Sequence, residues 1–122
     1  MQSKAISIRP FLGSKNYEIS RSFYRSLGFE EIVILPNMCL FKTETIAFYL
    51  QNAYVSDWID NTMVFLEMNN LEAYYQKVFD LNLPEKFPGV ILKPVIELDW
   101  GKEFFLHDPS GILWHIGEFK SS

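Results

Sequence analysis

Cysteine is almost absent from this 122-residue chain, which contains only Cys39. A single cysteine forms no internal disulfide and no cysteine-rich metal site. Its neighbours Met38, Leu40 and Phe41 are apolar, which predicts a buried and chemically inert thiol. The sequence also shows no signal-peptide pattern and no run approaching the ~20 apolar residues of a membrane span. We therefore expect a protein of the reducing cytoplasm, without a membrane segment.

Positive charge is also scarce, because 11 Lys and Arg residues face 15 Asp and Glu residues and the net charge is −4. The basic residues form no cluster, and phosphate binding needs a concentrated basic face, so nucleic acid is not expected as a partner. Aromatic residues, by contrast, make up 16% of the chain. Rings fill cores and also line small-molecule pockets. The composition thus favours a neutral or cationic small molecule as the ligand.

An internal repeat organises the chain, since the pattern of residues 16–29 recurs at residues 70–83. Each copy begins with an Asn suited to a helix N-cap and a Glu that complements the positive helix end. Apolar residues then recur every three or four positions, which predicts one amphipathic helix per copy. Each copy ends with Gly or Asn, which best accept the left-handed conformation after a helix. The matching pairs are Asn16 and Asn70, Glu18 and Glu72, and Gly28 and Asn82.

One apolar strand precedes each predicted helix and three strands follow it, bounded by turns that contain Pro, Gly and Asn. The predicted strands cover residues 4–12, 30–35, 38–43 and 45–51 in the first half, and 61–68, 91–98, 102–108 and 112–119 in the second. The expected fold class is α+β: two tandem βαβββ units that form a curled mixed sheet with one helix outside each half. We expect one domain, residues 1–122, with internal repeats at about 4–53 and 58–119.

Several segments resemble those of a known superfamily. Residues 23–29, Phe-Tyr-Arg-Ser-Leu-Gly-Phe, resemble its helix ending, and residues 108–111, Asp-Pro-Ser-Gly, resemble its turn before the last strand. Residues 99–109 resemble the Trp-Gly-Arg-Glu-Phe…Leu-Arg-Asp-Pro segment of the bleomycin-resistance proteins. The chain therefore resembles the glyoxalase, bleomycin-resistance and extradiol-dioxygenase superfamily (the vicinal-oxygen-chelate fold), and most of all its bleomycin-resistance branch. The resemblance covers nearly the whole chain, although Ile112 replaces the Asn that usually follows the turn.

The resemblance implies where the metal ligands of the superfamily's enzymes would lie, namely at positions 9, 63 and 115, with a fourth near Phe48 or Tyr49. Arg9 is permanently charged and does not donate to a cation. Met63 is a soft, weak ligand that does not suit hard divalent ions. Only His115 is able to coordinate, and one ligand does not hold a metal firmly. We therefore predict no metal site and no cofactor.

The resemblance also implies a ligand groove. Bleomycin-resistance proteins are dimers that exchange their first strand and hold a flat cationic drug at the subunit interface; a plain edge strand within one subunit is the alternative. Arg9 is expected to face the groove, because Ile6 and Ile8 share the other face of the strand, and the opposite register is the alternative. Trp100 matches the family's Trp-Gly turn and is the first candidate for stacking, or else a loop anchor in the core. The candidate ligand contacts are Trp100, Arg9, His115, Met63, Tyr49, Phe41 and Asp99. For Phe41 and Tyr49 the alternative is a place in the core, and for Asp99 it is a solvated position on the surface.

The predicted function is that of a metal-free binding protein, a homodimer that sequesters a cationic or aromatic small molecule such as a bleomycin-type antibiotic. We expect no catalytic residues in that case. The alternative is a glyoxalase-like or dioxygenase-like lyase, transferase or isomerase that acts on a small carbonyl or aromatic compound. Such an enzyme would use Arg9 and His115, or a metal held by other ligands. A groove that accepts a peptide is a third interpretation, because one fold hosts many functions.

Overall fold

The computed structural model describes residues 2–121 and contains two mixed β-sheets, one from each half of the chain. The first half contains β1 (Phe11–Leu12), α1 (Tyr17–Leu27), β2 (Glu30–Leu35), β3 (Met38–Lys42) and β4 (Ala47–Gln51). The second half contains α2 (Ser56–Asp60), β5 (Met63–Glu67), α3 (Leu71–Asp80), α4 (Leu83–Lys86), β6 (Ile91–Leu92), β7 (Ile96–Leu98), β8 (Gly101–His107) and β9 (Leu113–Phe119). None of the helices in this range is long and apolar enough to cross a membrane.

The two sheets share one arrangement of strands. Sheet A has the order β1-β4-β3-β2, and sheet B has the order β5-β9-β8-β6, with β7 also paired to β8. In each sheet the first strand of the repeat runs parallel to the last, β1 with β4 and β5 with β9, and the other pairs are antiparallel. The predicted α+β class, with two βαβββ units and helices outside the sheets, is therefore confirmed.

The first strand is much shorter than the sequence pattern predicts. Only Phe11 and Leu12 pair with β4. Residues 2–10 are exposed, and Ile6 and Ile8 are 83% and 95% exposed. The alternation of a strand is present in this segment, and the carbonyl of its last residue, Pro10, accepts from the amide of Tyr49 at 2.9 Å. No strand pairing within the described residues includes residues 2–9. We call residues 2–10 the N-terminal arm.

The second half departs from the prediction in two places. Residues 91–98 form two short strands instead of one, and Pro94, which has no amide N–H to donate to a ladder, lies between them. The short helices α2 and α4 are not predicted by the apolar periodicity, because each has less than two turns. Pro84 fits the first turn of α4, where an amide N–H would have no helical partner.

Helix α1 begins and ends as the sequence predicts. The side-chain oxygen of Asn16 accepts from the amide of Ile19 at 3.1 Å. Gly28 closes the helix with a φ of 113°, in the left-handed region that favours glycine. Phe23 and Leu27 form the predicted apolar stripe and are buried in the core. Local signals therefore determine this helix.

Helix α3 is capped differently, and the prediction for Asn70 is wrong. The Asn70 side chain makes no capping hydrogen bond, and its backbone has a φ of 50°. Instead, the carboxylate of Glu118 accepts from the amides of Asn70 and Leu71, at 3.1 Å each. Charge-assisted bonds of this kind are stronger than those of a neutral amide, and they lower the pKa of Glu118. Asn82, with a φ of 55°, takes the predicted left-handed conformation after the helix.

The core joins the two halves through Tyr24, which is fully buried. Its ring lies 5.0 Å from that of Phe48 and 5.8 Å from that of Trp114. Its hydroxyl donates to Asp108 at 2.7 Å and accepts from the indole N–H of Trp114 at 3.0 Å. Tyr24 of α1 is thereby hydrogen-bonded to the second half, both to Asp108 and to Trp114 of β9. Burial raises the pKa of Tyr24 well above its usual value.

Asp108 is a second buried group at this junction. The side chain of Asp108 accepts from the amides of Ser110 and Ile112 at 2.9 Å each. These two bonds stabilise the Asp-Pro-Ser-Gly turn, of which Asp108 is the first residue. Burial raises the pKa of Asp108, although these bonds oppose the shift. Cys39 is fully buried, as predicted, and burial raises the pKa of its thiol.

Candidate functional site

Strand alternation gives each sheet an inner face that packs on the core and an outer face on its other side. In sheet A the register places Leu12, Leu50 and Phe41 on the inner face. Phe41 is fully buried, and its ring lies 5.5 Å from that of Tyr24. The sequence-predicted contact Phe41 is therefore a core residue, and it is not accessible to a ligand in the folded chain.

The outer face of sheet A carries two other predicted residues, and the structure brings them together. Arg9, from the N-terminal arm, donates to the hydroxyl of Tyr49 at 3.1 Å. Its guanidinium carbon lies 5.9 Å from the centroid of the Tyr49 ring. Phe11 stacks on the same ring at 4.8 Å with an interplanar angle of 20°. No carboxylate among residues 2–121 forms an ion pair with Arg9.

The outer face of sheet B carries an exposed group of rings centred on Trp100. The Trp100 ring lies 5.0 Å from Phe119 and 5.9 Å from Phe65, and these two rings are 5.7 Å apart. The three side chains are 36%, 52% and 47% exposed, in the order Trp100, Phe119, Phe65. We call these three residues the Trp100 cluster. Large rings in mutual contact at the surface are typical of a binding site rather than of a core.

Gly117 makes this cluster possible. It lies on β9 beneath the rings, and a Cβ atom there would be 2.8 Å from Cζ of Phe65 and 3.2 Å from Cη2 of Trp100. Only glycine lets both rings lie over the strand at this distance. Phe65, Phe119 and Gly117 were missed by sequence reasoning, although Phe65 shares a face with the predicted contact Met63, two positions away on β5.

His115 lies on the same outer face, opposite Phe65 and Phe105 in the ladder. Its Nδ1 is 3.0 Å from a carboxylate oxygen of Glu103, which is only 7% exposed. The Phe105 ring meets the imidazole edge-on, with centroids 5.0 Å apart and an interplanar angle of 84°. Glu103 was also missed, because its contact with His115 depends on the register of two strands.

The remaining predicted contacts are Met63 and Asp99. Met63 is 64% exposed on the outer face of sheet B. Asp99 is exposed beside Trp100 and forms no ion pair with another described residue. Apart from the buried Phe41, the predicted contacts thus fall into two groups, Arg9 and Tyr49 at sheet A and Met63, Asp99, Trp100 and His115 at sheet B. No hydrogen bond or ring contact within residues 2–121 joins the two groups.

The donor set at the superfamily's metal positions does not fit a divalent ion. Arg9 is a cation bonded to Tyr49, Met63 offers a thioether, and His115 faces the single carboxylate of Glu103. Within residues 2–121, no group of three or more His, Cys, Asp and Glu side chains is arranged to hold a metal ion. The side chains on the outer faces offer aromatic surfaces, charged groups and hydrogen-bonding atoms.

A cleft of about 800 Å³ lies between the two halves. It is lined by residues of the first half such as Phe29 and Thr45, and by residues of the second half such as Met68, Tyr74 and Lys77. None of the sequence-predicted contacts lines it. The cleft shares only Phe119 with the Trp100 cluster, so it is a separate feature of the surface.

Comparisons with known proteins place this geometry in a class. No family model and no curated protein matches the sequence. Among solved structures, a glyoxylase/bleomycin resistance protein/dioxygenase domain from Frankia sp. EAN1pec is 13% identical, with a TM-score of 0.72 over 97% of this chain and all of that one. The chain therefore has the fold of the glyoxalase and bleomycin-resistance proteins, as its motifs predict.

Within that class, the structure is similar to bleomycin-binding proteins. The bleomycin-binding protein of bleomycin-producing Streptomyces verticillus, complexed with copper(II)-bleomycin, is 21% identical, with a TM-score of 0.80 over 98% of this chain and all of that one. The bleomycin resistance determinant of transposon Tn5 is 16% identical, with a TM-score of 0.81 over 96% of this chain and all of that one.

Proposed function

We propose that this protein binds a flat, cationic aromatic molecule of the bleomycin type and confers resistance by sequestering it, without a metal held by the protein. The observation that carries this proposal is the exposed Trp100 cluster on a chain with the fold of bleomycin-binding proteins. Its rings offer π faces to an aromatic cation, each such contact contributing about 0.5–2 kcal/mol. The net charge of −4 attracts a cationic ligand from solution.

The exposed apolar surface supports a homodimer as the binding form. The arm exposes Ile6 and Ile8, and the outer face of sheet B exposes Met63 and Phe65. Exposed apolar side chains of this size are typical of an interaction surface when they lie in one patch, and a dimer would remove them from water. We propose that two copies exchange their arms and that the outer face of sheet A meets the outer face of sheet B of the other copy. The ligand would then lie between Tyr49 of one copy and the Trp100 cluster of the other.

The dimer is tested by changing the arm. Replacing Ile6 and Ile8 together with Ser is expected to dissociate the dimer at micromolar concentration, because the exchanged arm loses its apolar contacts. Lys4→Ser in the same exposed segment is the matched control. Size-exclusion chromatography with light scattering gives the molecular mass. A wild-type chain that stays monomeric at high concentration would rule out this assembly.

Drug binding is tested with two tryptophan variants. Trp100→Ala is expected to weaken bleomycin binding by tenfold or more, because a central aromatic anchor is worth about 2 kcal/mol. Trp58→Ala is the control, because Trp58 is 70% exposed on α2, outside the Trp100 cluster. Isothermal titration calorimetry of both variants against wild type measures the difference. Sequestration is refuted if wild-type protein does not bind bleomycin at all.

A further inference from the structure

Glu103 and His115 form a polar contact next to the aromatic ring of Phe105. Glu103 is on β8 and is 7% exposed, and His115 is on the neighbouring strand β9. Their Oε1 and Nδ1 atoms are 3.0 Å apart, and His115 is the only basic partner of Glu103 among residues 2–121. A buried carboxylate is costly unless it accepts hydrogen bonds. The hydrogen bond with His115 therefore offsets the cost of burying the Glu103 carboxylate.

The contact also constrains the imidazole. An ionised carboxylate only accepts hydrogen bonds, so it favours the form of His115 that carries a proton on Nδ1. The ring of Phe105 packs edge-on against the imidazole and restricts its rotation. Nε2 has no hydrogen-bond partner among residues 2–121, and no buried side-chain nitrogen or oxygen in this range is left unbonded. Nε2 is thus at the surface, as expected for a side chain that is 27% exposed.

We propose that Glu103 is a positioning residue that fixes His115 in the Nδ1–H tautomer, so that Nε2 is a preoriented acceptor for an N–H donor of the ligand. The proposal rests on the proposed function, because it places the ligand on the outer face of sheet B. It narrows the ligand class to aromatic cations that carry N–H groups, such as amidines and protonated amines. A site built to bond an N–H group rejects an analogue that lacks it, because a polar group is then left unpaired.

The tautomer is measured without any ligand. Protein labelled with ¹⁵N-histidine is studied by long-range ¹H–¹⁵N NMR at a pH where His115 is neutral. Wild type is expected to show a protonated Nδ1 and an unprotonated Nε2. Glu103→Gln is expected to remove this preference, because the Gln amide both donates and accepts. Glu67→Gln is the matched control, because Glu67 is an exposed carboxylate on the same face that does not contact His115. An Nε2–H tautomer in wild type, or no change in Glu103→Gln, overturns the proposal.

Two small probes then test the ligand class. Benzamidine is an aromatic cation with N–H donors, and phenyltrimethylammonium is an aromatic cation without them. Benzamidine is expected to shift the Nε2 resonance and to bind about tenfold more weakly to Glu103→Gln, the loss typical of one hydrogen bond to a charged group. Phenyltrimethylammonium is expected to lose much less affinity than benzamidine in Glu103→Gln, because it loses only the attraction of the removed charge.

The two proposals can fail separately. If benzamidine leaves the Nε2 resonance unchanged at its highest soluble concentration, or binds both proteins equally, the role of His115 as an acceptor is refuted. If the benzamidine and tautomer results are as expected but bleomycin does not bind, the sequestration of bleomycin is refuted and the acceptor role stands. Thermal unfolding of Glu103→Gln, together with Glu103→Asp as a second variant, separates loss of folding from loss of the contact.

Discussion

Two groups of aromatic rings form in this molecule from the same residue types, one around Tyr24 and one around Trp100, and only their surroundings differ. Around Tyr24 the rings are buried, and each polar atom has a partner: the tyrosine hydroxyl bonds Asp108, and the Trp114 indole bonds the tyrosine. Around Trp100 the rings are about half exposed and contact mainly one another. The aromatic content of the sequence therefore does not distinguish buried rings from exposed ones.

The difference has a physical consequence. Burial of the Tyr24 group stabilises the fold, since apolar area is removed from water and no polar atom is left unbonded. The Trp100 cluster stabilises the isolated chain much less, because its rings keep a large part of their surface in water. That remaining hydrophobic free energy is available to a ligand or to a second copy of the chain. We therefore expect substitutions in the Tyr24 group to lower the stability of the fold and substitutions in the Trp100 cluster to weaken binding.

The largest effect is expected from a matched pair of phenylalanines. Phe48 is 3% exposed within the Tyr24 group, and Phe65 is 47% exposed within the Trp100 cluster. Phe48→Ala is expected to lower the free energy of unfolding by about 3–5 kcal/mol, because it leaves a cavity. Phe65→Ala is expected to lower it by about 1 kcal/mol, in line with its partial burial. Urea unfolding followed by circular dichroism measures both values, and equal losses would contradict the comparison.

An intermediate effect is expected from Gly117→Ala. The new Cβ atom would lie 2.8 Å from Cζ of Phe65, which has to move away together with the Trp100 ring. Because both rings are at the surface and free to shift outward, the free energy of unfolding is expected to change by less than about 1 kcal/mol. Bleomycin binding is expected to weaken about tenfold, since the stacking surface is displaced. Calorimetric titration alongside urea unfolding separates the two effects. Unchanged affinity would exclude the Trp100 cluster as the ligand surface.

Sequence reasoning succeeds where the signal is local. The caps of α1 at Asn16 and Gly28 are determined within one helix, and the neighbours of Cys39 indicate its burial. The Trp-Gly turn identifies Trp100 through resemblance to a family segment, although its use as a ligand contact stays a prediction. Arg9 lies beside Tyr49 in the structure, but Ile6 and Ile8, whose expected packing set the register of Arg9, are exposed, so the role of Arg9 as a groove contact stays a prediction.

Sequence reasoning fails where contacts between residues distant in the chain determine the local structure. Glu118 displaces Asn70 as the helix cap because β9 brings a carboxylate to the start of α3. Phe41 cannot be assigned to a face from the sequence, because Cys39, Leu40 and Phe41 are all apolar and the usual alternation is missing. The N-terminal arm carries the pattern of a strand, but within residues 2–121 only its last residue, Pro10, forms a backbone hydrogen bond to a strand, with Tyr49 of β4. Strand propensity indicates an extended segment there, but it does not indicate which strand would pair with that segment.

The smallest effect is expected at Glu31, which lies outside both ring groups. Arg21 donates to its carboxylate at 2.7 and 3.3 Å and Arg25 at 3.0 Å, and these bonds, above all those from Arg21, lower the pKa of Glu31. A carboxyl group with a lowered native pKa stabilises the fold above its unfolded pKa and loses that contribution as the pH falls through the native value. Stability from this group should therefore decline below about pH 5.

Glu31→Gln removes this pH dependence while keeping the shape of the side chain. The expected loss at pH 7 is about 1 kcal/mol or less, because the ion pairs are partly open to solvent. The difference in unfolding free energy between wild type and Glu31→Gln is expected to shrink between about pH 5 and pH 3. The stability contribution of Asp108 changes with pH in the opposite direction. Burial raises the pKa of Asp108, so protonation in acid removes the cost of keeping this carboxyl group ionised. Its contribution is common to both proteins and cancels in the difference. A difference that stays constant down to pH 3 would show that the arginines do not stabilise ionised Glu31.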